Sequence, residues 1–259
     1  MQVQAIPVFR DVHILRKGML EALSDYAFRA DQLLYQGYGD GILSGCRLTT
    51  TKDRIILNEG VVFLEKQLLL IKEPMETAYH PTNTTTVLKI HVSKEQMEDS
   101  LLYREMELLL TEDTELKKDE LELCRFKLQK GAKLRYWYQD FEDRSTEFDT
   151  LNIIHAAHAA RGGSTLSPEI TEAFGEEMLR MEELPPLDEC FCLQLLGQDR
   201  AVSPGMLAAY IARKGGKKLS DRSNPVLYRE LARILAETRN SQGTGRGPQQ
   251  KKRWRMTIE

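Results

Sequence analysis

The period of the hydrophobic pattern changes twice along this chain, and nothing else in it constrains the fold as much. From His13 to Tyr35, Leu15, Met19, Leu20, Leu23, Tyr26 and Leu34 recur at three- and four-residue steps, with Arg16, Lys17, Glu21 and Asp25 between them. That spacing lines one face of a helix. Past Gly37, a natural helix terminator, the period drops to two. CRLTTT (46–51), RIILN (54–58), VVFLE (61–65) and QLLLI (67–71) are short and aliphatic or β-branched, and Lys52-Asp53, Glu59-Gly60 and Glu65-Lys66 leave turn-sized gaps. TVLKIHV (86–92) sets Leu88, Ile90 and Val92 on one face and Lys89 and His91 on the other. REMELLLT (104–111), ELCRFKLQ (122–129) and LRYWY (134–138) continue the series. Lys72 to Pro81 reads as a connector.

Beyond 160 the period returns to helical. Ser167-Pro168, Ser203-Pro204 and Asn224-Pro225 each set a capping side chain before a proline. The side-chain oxygen can accept from an orphan N–H, and proline suits the first helical position because it has no N–H to leave unpaired. LDECFCLQLLGQ (187–198) reads as a further helix. The expected fold is α+β: an N-terminal arm and helix (1–37), a mainly antiparallel β domain (38–140), a polar acidic linker (141–167), a small helical domain (168–239) and a basic flexible tail (240–259).

Composition narrows the function classes. The chain has 259 residues, 41% of them hydrophobic, and a formal charge of −3, so no global field draws it to nucleic acid. Cys46, Cys124, Cys190 and Cys192 lack redox or zinc spacing and read as small apolar residues in a reducing compartment. No 18-residue apolar window is long enough to span a membrane, and the first residues lack the apolar run of a signal peptide.

The glycines of GYGDGILSGC (37–46) suggest a phosphate loop, but Ser44 and Ile42 stand where the third glycine of a dinucleotide loop is needed. The order of elements also runs from helix to strand, so no helix N-terminus faces the loop. The stretch reads as a compact turn. At ARKGGKKLS (212–220), Ile211 replaces the first P-loop glycine and Lys218 the Ser or Thr after the lysine.

His155 and His158, three apart, would share a helix face and suit a metal if a carboxylate such as Glu147 or Asp149 joined them. The alternative is a connecting segment in which both bond backbone or water. Asp140, Glu142, Asp143, Glu147 and Asp149 match no calcium loop and read as a solvated acidic linker. Residues 94–122 hold eleven acids against four bases, a strongly acidic face. The last twenty residues carry five Lys or Arg against one Glu. Within them Lys251, Lys252, Arg253, Trp254 and Arg255 could grip phosphates and stack a base, dock into an acidic protein groove with Trp254 as anchor, or solubilise the end.

YGDGILSGCRLTTTKDRIILNEGVVFLEKQLLLIKEP (38–74) resembles a module of bacteriophage tail and baseplate proteins and of phage-tail-like particles. Asp40, Gly41, Ile42, Ser44 and Gly45 match its turn, and Gly60 its later glycine. AIPVFRD (5–11), DELELCRFKLQ (119–129), RYWYQDFED (135–143), AARGGSTLSPEI (159–170) and FCLQLLGQ (191–198) resemble a group of prophage frames. These frames often carry the label "DNA and RNA helicase", whose motor motifs this chain lacks. The resemblance implies a non-enzymatic structural or adaptor component of a phage or tailocin-like contractile tail, at the baseplate or fibre-attachment region. It implies a multi-copy assembly with other tail proteins, no cofactor, no metal and no membrane. The chain would be made in the bacterial cytoplasm and then join a virion or tail-like particle. Asp40, Gly41, Ser44, Gly45 and Gly60 are the expected assembly residues, with Lys251 to Arg255 as a tail contact. A nucleic-acid-binding accessory protein using that basic tail is the alternative, and a metal enzyme at His155 and His158 a third.

Overall fold

The computed structural model describes residues 5–11, 14–99 and 101–244. The Lys251 to Arg255 cluster therefore lies outside the described residues. The fold is α+β. Helix α1 (Lys17–Ser24), a π-helical turn (Asp25–Arg29) and α2 (Ala30–Leu34) form one helical segment of eighteen residues, none of them buried.

Thirteen strands follow among the described residues. β1 (Gly41–Gly45), β4 (Gly60–Leu64), β5 (Gln67–Ile71), β12 (His158–Ala160) and β13 (Gly163–Thr165) form one sheet, in the order β13-β12-β1-β4-β5. β2 (Leu48–Thr50), β3 (Arg54–Leu57) and β6 (Met75–Ala78) form a second. β7 (Thr86–Val92) lies between β10 (Met106–Thr111) and β11 (Glu120–Phe126) in a third, and β8 (Gln96–Glu98) pairs with β9 (Leu101–Tyr103). Pairing of the named strands is antiparallel except for β1 with β12, which align at Ile42 and His158. The inward residues of the three larger sheets, among them Ile55, Leu57, Leu88, Ile90, Leu123 and Phe126, close one core.

Helices α3 (Pro168–Leu179), α4 (Pro186–Leu196), α5 (Pro204–Gly215) and α6 (Asn224–Thr244) enclose a second core. Aromatic pairs knit it, with Phe141 stacked on Tyr228 at 4.8 Å and Phe191 on Tyr210 at 3.7 Å. Of the three expected caps, the Ser203 hydroxyl accepts from the Met206 N–H at 3.2 Å. Ser167 makes no side-chain cap bond. Asn224 is used otherwise: its Nδ2 donates to the carbonyls of Ala156 and Thr165, tying the start of α6 to the sheet.

Several local expectations need correction. The glycine stretch is not a free turn: residues 41–45 are strand β1, near the middle of the five-stranded sheet. Residues 134–138 form no strand; Arg135 makes a single bridge to Thr150. QLLLI forms strand β5 at the edge of the five-stranded sheet, with Leu70 55% exposed. Its second face carries only the small cluster of Leu43, Phe63 and Ala159, with Leu68, Tyr35 and Tyr38 against it.

The acidic residues of 140–149 are not simply solvated. Asp143 takes a bidentate pair from Arg135 at 2.6 and 2.7 Å, and Asp149 accepts from the Gln129 N–H at 2.9 Å. Asp140 accepts from the Asp143 N–H, and Glu142 and Glu147 pair with Arg239 and Lys127. Residues 141–167 bury Phe141 and Ile154 in the helical core and Leu151 in the sheet core, and so join the two cores.

Candidate functional site

Strand β1 is where the chain packs its own backbone most closely. Gly45 sits at φ +67°, and a Cβ there would lie 2.7 Å from the Gly60 Cα and nearer still to the Glu59 carbonyl. A Cβ on Gly41 would meet the Ala157 carbonyl at 2.6 Å, and one on Gly60 the Ser44 carbonyl at 2.6 Å. No real side chain tolerates such contacts, so the glycines let three strands crowd together. A register shift between Ile42 and Ser44 opens a bulge, and Cys46 follows at φ 56° with its N–H on the Glu59 carbonyl at 2.9 Å. The expected assembly residues thus come together: Gly45 pairs with Gly60, and the Asp40 carbonyl accepts from the Ser164 hydroxyl at 2.6 Å. Ser44 is exposed.

β1 forms one side of a groove of ≈ 700 Å³ that runs between the sheet and the start of α3. Ile42, Leu48, Tyr136, Trp137, His158 and Glu172 help line it. Trp137 is 54% exposed, and the Arg135 guanidinium lies over its ring at 4.8 Å. Arg144 lies over Tyr138 at 4.4 Å and pairs with Glu169 at 2.8 Å. Burial pushes the His158 imidazole down to about 4, so it is neutral at pH 7. Burial, then repulsion from Glu169 and Glu176, raises the Glu172 carboxyl despite Arg47 and Arg144. Burial drives the Cys46 thiol up to about 12, which removes its nucleophilic form. His158 makes no side-chain hydrogen bond to Ser44, Ser167 or Cys46, and Arg144 reaches Glu169 through one Nη while its buried Nε has no hydrogen-bond partner among the described residues. The lining mixes aromatic and aliphatic residues with polar and charged ones, among them Arg47, Glu172 and Asp199 beside the Arg144–Glu169 pair.

The two histidines do not meet the metal expectation. His155 lies in a turn and His158 in β12, so no helix aligns them. Among the described residues, only His91, Asp119 and Glu120 gather as three potential metal ligands. Glu120 there is already held by two cations: Lys89 Nζ at 3.0 Å and Lys117 Nζ at 3.2 Å.

The alternation of TVLKIHV missed that Lys89 pair. Lys89 was assigned to an outer face, yet it is 2% exposed and donates to Glu120 and to the Glu115 carbonyl. A lysine inside a strand can be buried only with such a partner, and the acidic run 112–122 was the signal for one.

The widest exposed apolar surface belongs to the N-terminal segment. Leu15, Leu20, Leu23, Tyr26, Phe28, Leu33 and Leu34 are all exposed, as are Ile6, Val8 and Phe9 ahead of them. Among the described residues, no helix is long and apolar enough to cross a membrane.

The chain is thus a two-core α+β protein with a large uncovered apolar helix. No protein-family model matches it, and no curated protein does. Among solved structures, it is similar to a crystal structure of TssK, with 12% identity, 92% of this chain and 69% of that one covered, and a TM-score of 0.40. It is also similar to a chain in a cryo-electron-microscopy structure of the type VI secretion system TssK-TssF-TssG baseplate subcomplex. There the identity is 9%, the coverage 90% and 99%, and the TM-score 0.39.

Proposed function

We propose that this chain is a non-enzymatic structural or adaptor component of a phage or tailocin-like contractile tail, at the baseplate or fibre-attachment region. It works in several copies beside other tail proteins. The β domain (38–140) docks on neighbours and the helical domain (168–239) acts as adaptor. One observation carries the reading: an eighteen-residue amphipathic helix leaves its apolar residues uncovered. Fully burying a Leu or Phe side chain is worth about 1.5–3 kcal/mol, and a contiguous uncovered patch of several such residues marks an interaction site. The resemblance of 38–74 to tail and baseplate modules supplies the kind of assembly.

The test is made in cells that produce the particle. Purified particles should contain the chain by mass spectrometry. A Leu23→Glu/Tyr26→Glu variant, which changes no buried residue, should fold normally yet be missing from them. Particles that assemble without the chain, or that take up the variant at the wild-type level, would sink the proposal.

A further inference from the structure

One line of apolar residues along the N-terminal helical segment is symmetrically spaced, while Leu20, Phe28 and Leu33 lie off that line. Met19, Leu23, Tyr26 and Ala30 are spaced 4, 3 and 4 residues apart, flanked by Leu15 four residues before and Leu34 four residues after. The centre of this palindrome falls between Ser24 and Asp25. From Met19 to Leu34 the stripe advances faster than the 3.6 residues per turn of an ideal α-helix, which would rotate it off one face. The wide i→i+5 turn at Asp25–Arg29 takes up the excess.

The two halves of the segment carry opposite net charge: Arg16 and Lys17 outweigh Glu21 in the first, and Asp25 and Asp31 outweigh Arg29 in the second. Arg16 and Lys17 stand at the start of the segment and Asp31 near its end. Lys17 is paired with Glu21 at 3.3 Å, and Arg29 with Asp25 at 3.0 Å. Arg16 and the Asp31 carboxylate form no ion pair with another described residue. Two copies laid antiparallel about the centre set Leu23 against Tyr26 and Met19 against the small Ala30. They also bring the Arg16 and Lys17 end of each beside Asp31 of the other. A parallel pair would set Arg16 against Arg16.

We propose that the N-terminal helix pairs antiparallel with the same helix of a second copy of this chain. The proposal rests on the reading above that this helix is a docking surface, and it names what docks. An eighteen-residue helix is about 27 Å long and offers a strip about 10 Å wide. That is well below the roughly 800 Å² per partner of a standard interface, so the pair forms in a concentration-dependent way.

The test uses the full chain with the exposed Cys190 changed to Ser; Cys46, Cys124 and Cys192 are buried. Met19→Cys and Ala30→Cys proteins are oxidised singly and mixed, then run on a non-reducing gel. The mixture should give a cross-linked dimer that neither protein gives alone. Light scattering over roughly 1–200 µM, a range set by the small strip, should show monomer passing to dimer, with the dimer lost in Leu23→Glu/Tyr26→Glu. Cross-links within each single variant would overturn the antiparallel arrangement. A monomer at all concentrations, with no cross-link in the mixture, would overturn self-pairing. If the variant is then still excluded from particles, docking on a different protein stands while self-pairing falls; if it is incorporated normally, both fall.

Discussion

Gly45→Ala measures how much of the fold depends on backbone crowding around β1. Alanine at φ +67° carries left-handed strain of about 1–2 kcal/mol. Gly216, the residue ending α5, supplies a matched control: its φ is +69°, and an added Cβ there meets nothing within 4 Å. Both substitutions remove the same conformational freedom from the unfolded chain, so that contribution cancels. The difference left is the clash. At Gly45 the new Cβ stands 2.7 Å from the Gly60 Cα, where ordinary contact begins at 3.4 Å. β1 and β4 must part, and the Cys46 N–H to Glu59 carbonyl bond, now 2.9 Å, stretches out of range. An unmade buried hydrogen bond costs about 1–3 kcal/mol. Gly216→Ala is therefore expected to cost about 1–2 kcal/mol, and Gly45→Ala about 2–5 kcal/mol once the lost bond is added. At about 2–4 °C per kcal/mol for a chain of this size, the lost bond of about 1–3 kcal/mol should separate the two melting temperatures by roughly 2–12 °C. Thermal unfolding followed by circular dichroism reads this directly. Equal losses in the two variants would show that the glycine is needed only for its backbone angle and that the strands have room to give.

Three further expectations concern the β domain. Lys89→Met strands the Glu120 carboxylate, and removing one partner of a buried pair costs about 3–5 kcal/mol; Lys117 Nζ at 3.2 Å keeps the loss near the lower bound. Adding Glu120→Leu should restore most of the stability in urea unfolding, and a double variant weaker than the single one would refute the pairing. Burial alone would raise the Glu120 carboxyl, but Lys89 and Lys117 outweigh it and hold it at about 2, below the ordinary 4.5. A lowered folded value means that this stability is complete above about pH 4.5 and is lost as pH falls toward 2. The stability gap between wild type and Glu120→Gln should thus be nearly constant from pH 7 to 5, narrow below that and close near pH 2; a gap that ignores pH would count against the ion pair. Glu65 and Lys66, the turn between β4 and β5, both hold positive φ, at 49° and 63°. Asn-Gly suits that primed turn better, so Glu65→Asn/Lys66→Gly should raise stability by about 1 kcal/mol; a loss in calorimetry would mean the turn is not strained.

Some of this was legible in the chain and some was not, for physical reasons. Proline after Ser167 and Ser203 marked two helix starts because its fit to the first helical turn is local chemistry. Asn224 looked like a third cap, but its side chain answers carbonyls 68 and 59 residues away, which no local pattern records. GILSG read as a turn because four glycines within nine residues usually bend a chain. Here they admit backbone from residues 157–164, and close approach by a distant segment leaves no mark in the period of the strand itself. Strand alternation assigned Lys89 outward correctly as geometry, since it does lie opposite Leu88 and Ile90. What alternation could not convey is that the run 112–120 folds back over that face. Likewise the acids of 140–149 were evident as charges, while Arg135, Arg239 and the Gln129 amide that hold them come from other segments.

The N-terminal helix presents the reverse case. Its apolar period is among the clearest in the chain, and a period of that kind normally predicts burial. The structure shows the helix formed and its face bare. Propensity alone does not sustain a helix of this length in water; most of its stability comes from the face it packs. An apolar stripe retained over five turns, beside the ion pairs Lys17–Glu21 and Asp25–Arg29, fits the docking role proposed above. On the proposal above, a second polypeptide covers the face that the described residues leave bare.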